Sequence, residues 1–142
     1  MKQYTVMIVD DDEVDRYLLV RELNKLPFLL NILEAENGVN ALEFLQDFEQ
    51  GKQKYGDNFP PVLIFLDINM PLMGGFEFLE AFKALKQTDN RYSSSIFTMF
   101  TSSEKEGDKQ KAAQYDFVKG FIVKGDVTTE ALEEVFQKHL VV

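Results

Sequence analysis

The stretch Val62-Leu63-Ile64-Phe65-Leu66-Asp67-Ile68-Asn69-Met70-Pro71 decides the fold. Five apolar residues run unbroken into one aspartate, with Pro60-Pro61 before them and Pro71 after. Such a run reads as a strand buried on both faces. A carboxylate at the C-terminal end of a buried strand lies where open α/β sheets place their ligands. One aspartate there is equally well read as ordinary loop polarity, so the reading turns on what the other strand ends bring to it.

On the N-terminal side, Thr5-Val6-Met7-Ile8-Val9 is a buried strand that ends in Asp10-Asp11-Asp12-Glu13. Val14, Leu18, Leu19, Leu23 and Leu26 then recur at helical spacing up to Pro27. Asn31-Ile32-Leu33-Glu34-Ala35 is a short strand nearer an edge, and Asn37-Gly38 makes a turn. Val39, Leu42, Leu45 and Phe48 line a second helix that fades into the polar stretch from Gln50 to Asn58.

On the C-terminal side, Phe78, Leu79, Phe82 and Leu85 form the inner face of a third helix. Ile96-Phe97-Thr98-Met99-Phe100 is a fourth strand ending at Thr101-Ser102-Ser103. A shorter helix over about Gly107 to Tyr115 follows, with Ala112 and Ala113 inward. Phe121-Ile122-Val123 is the fifth strand, ending at Lys124-Gly125-Asp126. Thr128 or Thr129 caps a last helix that turns Leu132, Val135, Phe136 and Leu140 inward. Strand and helix thus alternate five times, with apolar rather than alternating strands. The pattern predicts a three-layer α/β fold: a doubly wound (βα)5 unit whose five-stranded parallel sheet carries helices on both faces.

Composition narrows the function. The 142 residues suffice for one domain over residues 1–142 that buries a core without staples. With no Cys, disulfides and thiolate metal sites are excluded. The net charge of −9 argues against nucleic acid as a direct partner, since phosphate binding needs a clustered basic face. Lys105, Lys109 and Lys111 lie close together but are interleaved with Glu104, Glu106 and Asp108, as on a solvated helix start. No apolar leader or membrane-length run is present, so a soluble cytoplasmic protein is expected.

Four strand ends carry groups that do chemistry: Asp10-Asp11, Asp67, Thr101-Ser102 and Lys124. Each alone is common loop or cap polarity. In a doubly wound sheet, however, these ends share one edge and can meet in one pocket. Three carboxylates there repel one another, and the single charge of Lys124 does not compensate. Oxygen donors without His or Cys suit a hard divalent ion, Mg²⁺ with Mn²⁺ as a substitute. A metal, a lysine and a hydroxyl around a carboxylate make a phosphoryl site with Asp67 as nucleophile and Thr101 as hydrogen-bond donor.

Val9-Asp10-Asp11, Leu66-Asp67-Ile68-Asn69-Met70-Pro71 with Gly75, Thr101-Ser102 and Val123-Lys124 together resemble the response-regulator receiver family, stand-alone chemotaxis regulators included, from end to end of the chain. The resemblance implies the flavodoxin-like strand order 2-1-3-4-5. It implies that Asp67 accepts phosphate in a two-component phosphorelay, from a sensor histidine kinase or a histidine phosphotransfer protein. Asp11 would then bind Mg²⁺ directly, Asp10 mostly through water, and Asn69 through its backbone carbonyl. Thr101 and Lys124 would contact the phosphoryl group, and the small Ser102 would leave it room. Asp12 and Glu13 fall outside the matched pair, as a solvated helix start. Thr101 and Phe121 would act as the switch that reshapes the face of the fourth helix, fifth strand and fifth helix. Catalysis would be limited to self-phosphorylation and autodephosphorylation.

Two positions depart from the family. Gly125 stands where Pro, commonly with a cis bond, follows the lysine; a cis bond to glycine would cost about 2.5–4 kcal/mol, so a trans bond or a rearranged loop is expected. Glycine's conformational freedom would let the lysine reach the site. Phe121 stands where Tyr is frequent and cannot donate a hydrogen bond, so a plain core aromatic is as good a reading as a switch.

Three rivals share parts of the pattern. A phosphatase of the haloacid dehalogenase class needs a second carboxylate two residues after the nucleophile, where this chain has Asn69. A flavodoxin needs a phosphate cradle in its first loop, which Asp10-Asp11-Asp12 would repel. A degenerate receiver, acting as a phosphate-independent interaction module, would have no need for the full set of motif acids. His139, the only histidine, reads as a helix-end residue near the last carbonyls rather than a phosphotransfer group. The sequence stops just after that helix, so no output domain is expected, and output would run through a downstream protein target, from a monomer or a phosphorylation-dependent homodimer.

Overall fold

A computed structural model describes residues 2–141, so the two end residues of the expected 1–142 domain lie outside it. Its five strands are β1 (Gln3–Val9), β2 (Leu29–Ala35), β3 (Leu63–Leu66), β4 (Ile96–Thr101) and β5 (Val118–Val123). They form one parallel sheet in the order β2-β1-β3-β4-β5, as the resemblance implied. Six α-helices cover it: α1 (Glu13–Leu23), α2 (Gly38–Gln46), α3 (Phe48–Tyr55), α4 (Gly75–Thr88), α5 (Glu106–Ala113) and α6 (Thr129–His139).

The apolar runs explain the layering. Residues alternate between the two faces of a strand, so a central strand needs apolar side chains at both parities. β1 and β3 meet this condition. Met7, Val9, Ile64 and Leu66 face a core closed by Ala41, Leu45, Phe78, Phe82 and Ala112, from α2, α4 and α5. Val6, Ile8, Leu63 and Phe65 face the opposite core, closed by Leu19 and Leu23 of α1 and Leu132 and Phe136 of α6. Aromatic rings fill much of the first core: Phe82 lies edge-on to Phe97 at 4.9 Å, and Tyr92 and Phe117 pack about it.

The sequence reading needs correction at several element boundaries. The polar stretch after Phe48 is a helix of its own, α3, missed because its apolar contacts are confined to Phe48 and Tyr55 at its two ends. Asn37-Gly38 is not a turn: the Asn37 side chain caps α2 by accepting from Asn40 N at 2.8 Å. In α1 the inner face is Leu19 and Leu23, one turn apart, while Val14 and Leu18 point to solvent at 64% and 39% exposure. In α5 only Ala112 is buried and Ala113 is exposed. β2 starts two residues earlier than read, at Leu29, and β5 three residues earlier, at Val118. Thr128, rather than Thr129, caps α6 by accepting from Ala131 N.

The extension of β5 contains a bulge. Phe97 pairs with Val118 but Thr98 pairs with Gly120, so Lys119 is an extra residue on β5. Gly120 fits because a Cβ there would stand 3.2 Å from Thr98 Oγ1. Beyond the bulge the pairing is regular, with Phe121 beside Met99 and Val123 beside Thr101.

The Lys124–Gly125 bond is trans, the Phe59–Pro60 bond being the one cis peptide among the described residues. Gly125 has no positive φ, so the chain passes Lys124 without drawing on glycine's special freedom. Gly75 is constrained instead: its N–H donates to the Ile68 carbonyl at 2.8 Å, and a Cβ there would run into the Asp67 carbonyl and lie 2.8 Å from Ile68 Cα. A Cβ on Gly125 would meet open space. Gly75→Ala is therefore expected to lose about 1–3 kcal/mol of stability by overpacking, and Gly125→Ala to change it by less than about 0.5 kcal/mol. Urea unfolding of the two variants checks this; equal effects would refute the packing account.

Candidate functional site

The sheet brings the acids together. Val9 and Leu66 are register partners, and the pairing continues one step beyond each strand: Asp67 N donates to Val9 O at 3.0 Å, and Asp10 N to Ala35 O at 3.1 Å. Asp10 and Asp67 therefore leave adjacent strands side by side, and both are buried, at 0% and 5% exposure. Asp11 follows on the exposed side. One carboxylate oxygen from each of Asp10, Asp11 and Asp67 falls within a cluster whose members lie within 4.8 Å of one another.

Lys124 arrives from two strands away. It follows Val123, the register partner of Thr101, and its ammonium lies 5.7 Å from the ring centroid of Phe100 on β4. Nζ then stands 2.8 Å from Asp10 Oδ2, 2.8 Å from Asp15 Oδ2 and 3.2 Å from Asp67 Oδ2. The Asp15 and Asp67 contacts are aligned hydrogen bonds; the Asp10 contact is a close ion pair without that alignment. A lysine has the length and the three donors for this; no shorter cation would cross β4.

The remaining oxygens are tied locally. Asp10 Oδ1 accepts from Asp12 N at 3.0 Å, and Asp67 Oδ1 from Ile68 N at 2.8 Å. Asp12 in turn caps α1 by accepting from Asp15 N, the solvated helix start read from the sequence. Thr101 is fully buried at the end of β4, where its Oγ1 accepts from Ser103 N at 3.2 Å, a bond that leaves the hydroxyl proton free to donate. Ser102 and Asn69 are exposed at their strand ends.

Phe121 is half-buried and packs against the Phe82-containing core while lining a cleft of about 430 Å³ with Glu104, Lys105 and Lys109. His139 sits at the end of α6, with burial and Lys138 lowering its pKa.

Two residues were not singled out from the sequence. Asp15 occupies the third position of α1, where acids are favoured by the helix dipole, so nothing in its spacing marks it as a site residue. Arg16 Nη1 donates to the Asp10 carbonyl at 2.7 Å and Nε to Glu34 at 3.2 Å, fixing the strand end that carries Asp10.

The electrostatics of the site favour added positive charge. Burial raises the Asp10 pKa, the contacts from Lys124 and Asp12 N hold it down, Asp67 adds to the rise, and the balance is about 6. Burial alone would lower the Lys124 pKa, but Asp10, Asp15 and Asp67 reverse this and drive it up. Oxygen-only donors, with a buried Asp10 Oδ2 lacking an aligned hydrogen bond, fit a hard divalent cation such as Mg²⁺.

Comparison with known proteins agrees with this geometry. The profile of the response regulator receiver domain matches residues 6–137. The chain is 34% identical over 119 residues to the chemotaxis protein CheY of Halobacterium salinarum, covering 84% of this chain and 82% of that one. It is 41% identical over 81 residues to the autoinducer 1 sensor kinase/phosphatase LuxN of Vibrio campbellii, covering 57% of this chain but only 8% of that protein. The crystal structure of a two component response regulator from Cytophaga hutchinsonii superposes with a TM-score of 0.81 at 26% identity, covering 99% of this chain and 98% of that one. No helix among the described residues is long and apolar enough to cross a membrane.

The raised pKa of Asp10 has a measurable sign. Between about pH 4 and 6 the native state holds a proton that the unfolded chain has released, so this group's contribution to stability falls as pH rises through that window. In metal-free protein, Asp10→Asn is expected to gain stability over wild type by about 2 kcal/mol more at pH 6.5 than at pH 4. Urea unfolding in chelator at the two pH values checks this. A difference between the proteins that does not change with pH would show that Asp10 ionises normally.

Proposed function

The chain belongs to the response regulator receiver domain family, and from that premise we propose that Asp67 is its phosphoacceptor in a Mg²⁺-dependent phosphorelay. The observation that carries the reading is the placement of the Asp67 carboxylate: buried at the end of β3, 3.2 Å from Lys124 Nζ, and clustered with Asp10 and Asp11. Residues 1–142 act on this reading as one receiver unit. Receiver domains are signalling modules, and the chemistry this one needs is confined to gaining and losing one phosphoryl group.

An Asp67 oxygen attacks the phosphorus of a phosphohistidine on a sensor histidine kinase or histidine phosphotransfer protein. The P–N bond breaks, the imidazole leaves with the electron pair and takes up a proton, and an acyl phosphate remains on Asp67. Asp11 and Asp67 would hold Mg²⁺ directly, with the Asn69 backbone carbonyl, and Asp10 through water. The ion supplies charge neutralisation for the phosphoryl oxygens. Lys124 neutralises a further oxygen, and the free hydroxyl proton of Thr101 donates to another. Exposed Ser102 leaves the space in front of Asp67 open.

The signal then passes from Thr101 to the face of α5, β5 and α6, where Phe121 lines the cleft beside Lys105 and Lys109. Phe121 would respond by moving between half-buried and buried positions. A downstream protein partner reads that face, with the receiver as a monomer or a phosphorylation-dependent homodimer. The net charge of −9 supports a protein rather than a nucleic acid as the direct target, and a cytoplasmic setting suits a histidine kinase partner.

Acetyl phosphate with Mg²⁺, followed by intact mass, tests the reading. Wild type is expected to gain one phosphate, and Asp67→Asn or chelator to abolish the gain. No adduct on wild type, or equal labelling of Asp67→Asn, would leave a phosphate-independent interaction module instead.

A further inference from the structure

Lys124 has three carboxylate partners, and they do not share one fate. Asp10 and Asp67 belong to the oxygen cluster suited to a divalent cation; Asp15 does not. A cation on that cluster repels the lysine ammonium and takes up the lone pairs that held it. A phosphoryl group on Asp67 replaces that carboxylate contact with its own oxygens, which the ammonium meets only if it is already held over the site. Lysine is a flexible four-carbon stem, and without a fixed partner its ammonium returns to solvent. Asp15 is the partner left over.

Its geometry suits that task. The Asp15 carboxylate accepts from Lys124 Nζ at 2.8 Å, against 3.2 Å for Asp67. Its backbone is pinned by the helix cap, with Asp15 N donating to Asp12 Oδ1 at 3.0 Å. An acidic side chain at the third helical position commonly reaches back to the cap residue. Here it reaches across to a lysine 109 positions away in sequence. The Asp15 side chain is 29% exposed and that of Lys124 12%, so the bond is partly shielded from water.

We propose that Asp15 is a positioning residue for Lys124, holding its ammonium over the site when Asp10 and Asp67 turn to the metal and the phosphoryl group. The inference rests on the reading of Asp67 as phosphoacceptor. It assigns Asp15 no contact with the phosphoryl group or the metal.

Two measurements on the full chain test it. In the first, beryllofluoride with Mg²⁺ is titrated by calorimetry into wild type, Asp15→Asn, Lys124→Ala and the double variant. Asp15→Asn is expected to weaken binding about five- to tenfold, the effect of a charge-assisted hydrogen bond discounted for partial exposure. In the Lys124→Ala background the same change is expected to have no further effect. Asp15→Glu, which keeps the charge on a longer stem, is expected to recover most of the loss.

In the second, the rate of Lys124 acetylation by acetic anhydride is followed by mass spectrometry, with Mg²⁺ and without. With Mg²⁺, Lys124 is expected to stay slow to react in wild type and become fast in Asp15→Asn. Without Mg²⁺ the two proteins are expected to differ little, because Asp10 and Asp67 still hold the amine. Unchanged beryllofluoride binding and Mg²⁺-state acetylation in Asp15→Asn would overturn the inference and leave the phosphoacceptor reading intact. So would an equal loss in the Lys124→Ala background, which would show a general charge effect. Wild type that binds no beryllofluoride would overturn the phosphoacceptor reading, and the role of Asp15 with it.

Discussion

Four carboxylates and one ammonium share the C-terminal edge of this sheet, and their mutual repulsion is the constraint that the surrounding structure answers. The parallel register leaves no freedom here. Once Val9 and Leu66 pair, the next residue on each strand is an aspartate, and the two side chains must coexist in a buried edge. Like charges at such distances are costly in a medium of low dielectric constant. The fold meets that cost with a lysine drawn across β4, with backbone N–H groups from Asp12 and Ile68, and with Arg16 fixing the strand end behind Asp10. None of these neutralises the site fully, so a shortage of positive charge remains at its surface. That shortage is what a divalent cation and a phosphoryl group, bound together, would use.

The rigid part of the molecule lies directly below. Both faces of β1 and β3 are packed, with aromatic rings meeting edge to face beneath the acids. A core at crystal-like density transmits displacement rather than absorbing it. The Gly75 N–H bond to Ile68 and the missing side chain at Gly75 let α4 begin against the Asp67 backbone itself. A change at Asp67 is thus coupled to a helix through main-chain contact, without a flexible side chain between.

Much of this was legible in the sequence because the signals were continuous or repeated. The apolar runs announced buried parallel strands, and the acids, hydroxyl and lysine at four strand ends announced one shared site. What escaped detection did so for physical reasons. α3 has apolar anchors only at Phe48 and Tyr55, too sparse for a helical period to show. α1 carries more apolar residues than it buries, so Val14 and Leu18 imitated an inner face. Asn37-Gly38 can open a helix or close a hairpin, and only the capping bond to Asn40 distinguishes the two. Asp15 was hidden by its surroundings: an acid in the first turn of a helix is ordinary, and its partner lies at the other end of the chain. Local pattern carries no information about a contact that only the closed sheet creates.

The extra residue in β5 gives the chain something like a reading frame. Before Lys119 the strand keeps one parity against β4; after it, the parity is reversed. Phe121 therefore shares a face with Met99, and Ile122 shares the opposite one with Phe100, where otherwise the assignments would be exchanged. The same side chains, paired residue for residue without the bulge, would present Ile122 to the α5 side and send the aromatic ring beneath α6. In this strand the side chain that faces the α5 side is decided by counting as well as by chemistry, so an alignment that slides one gap here would assign that face to the wrong residue.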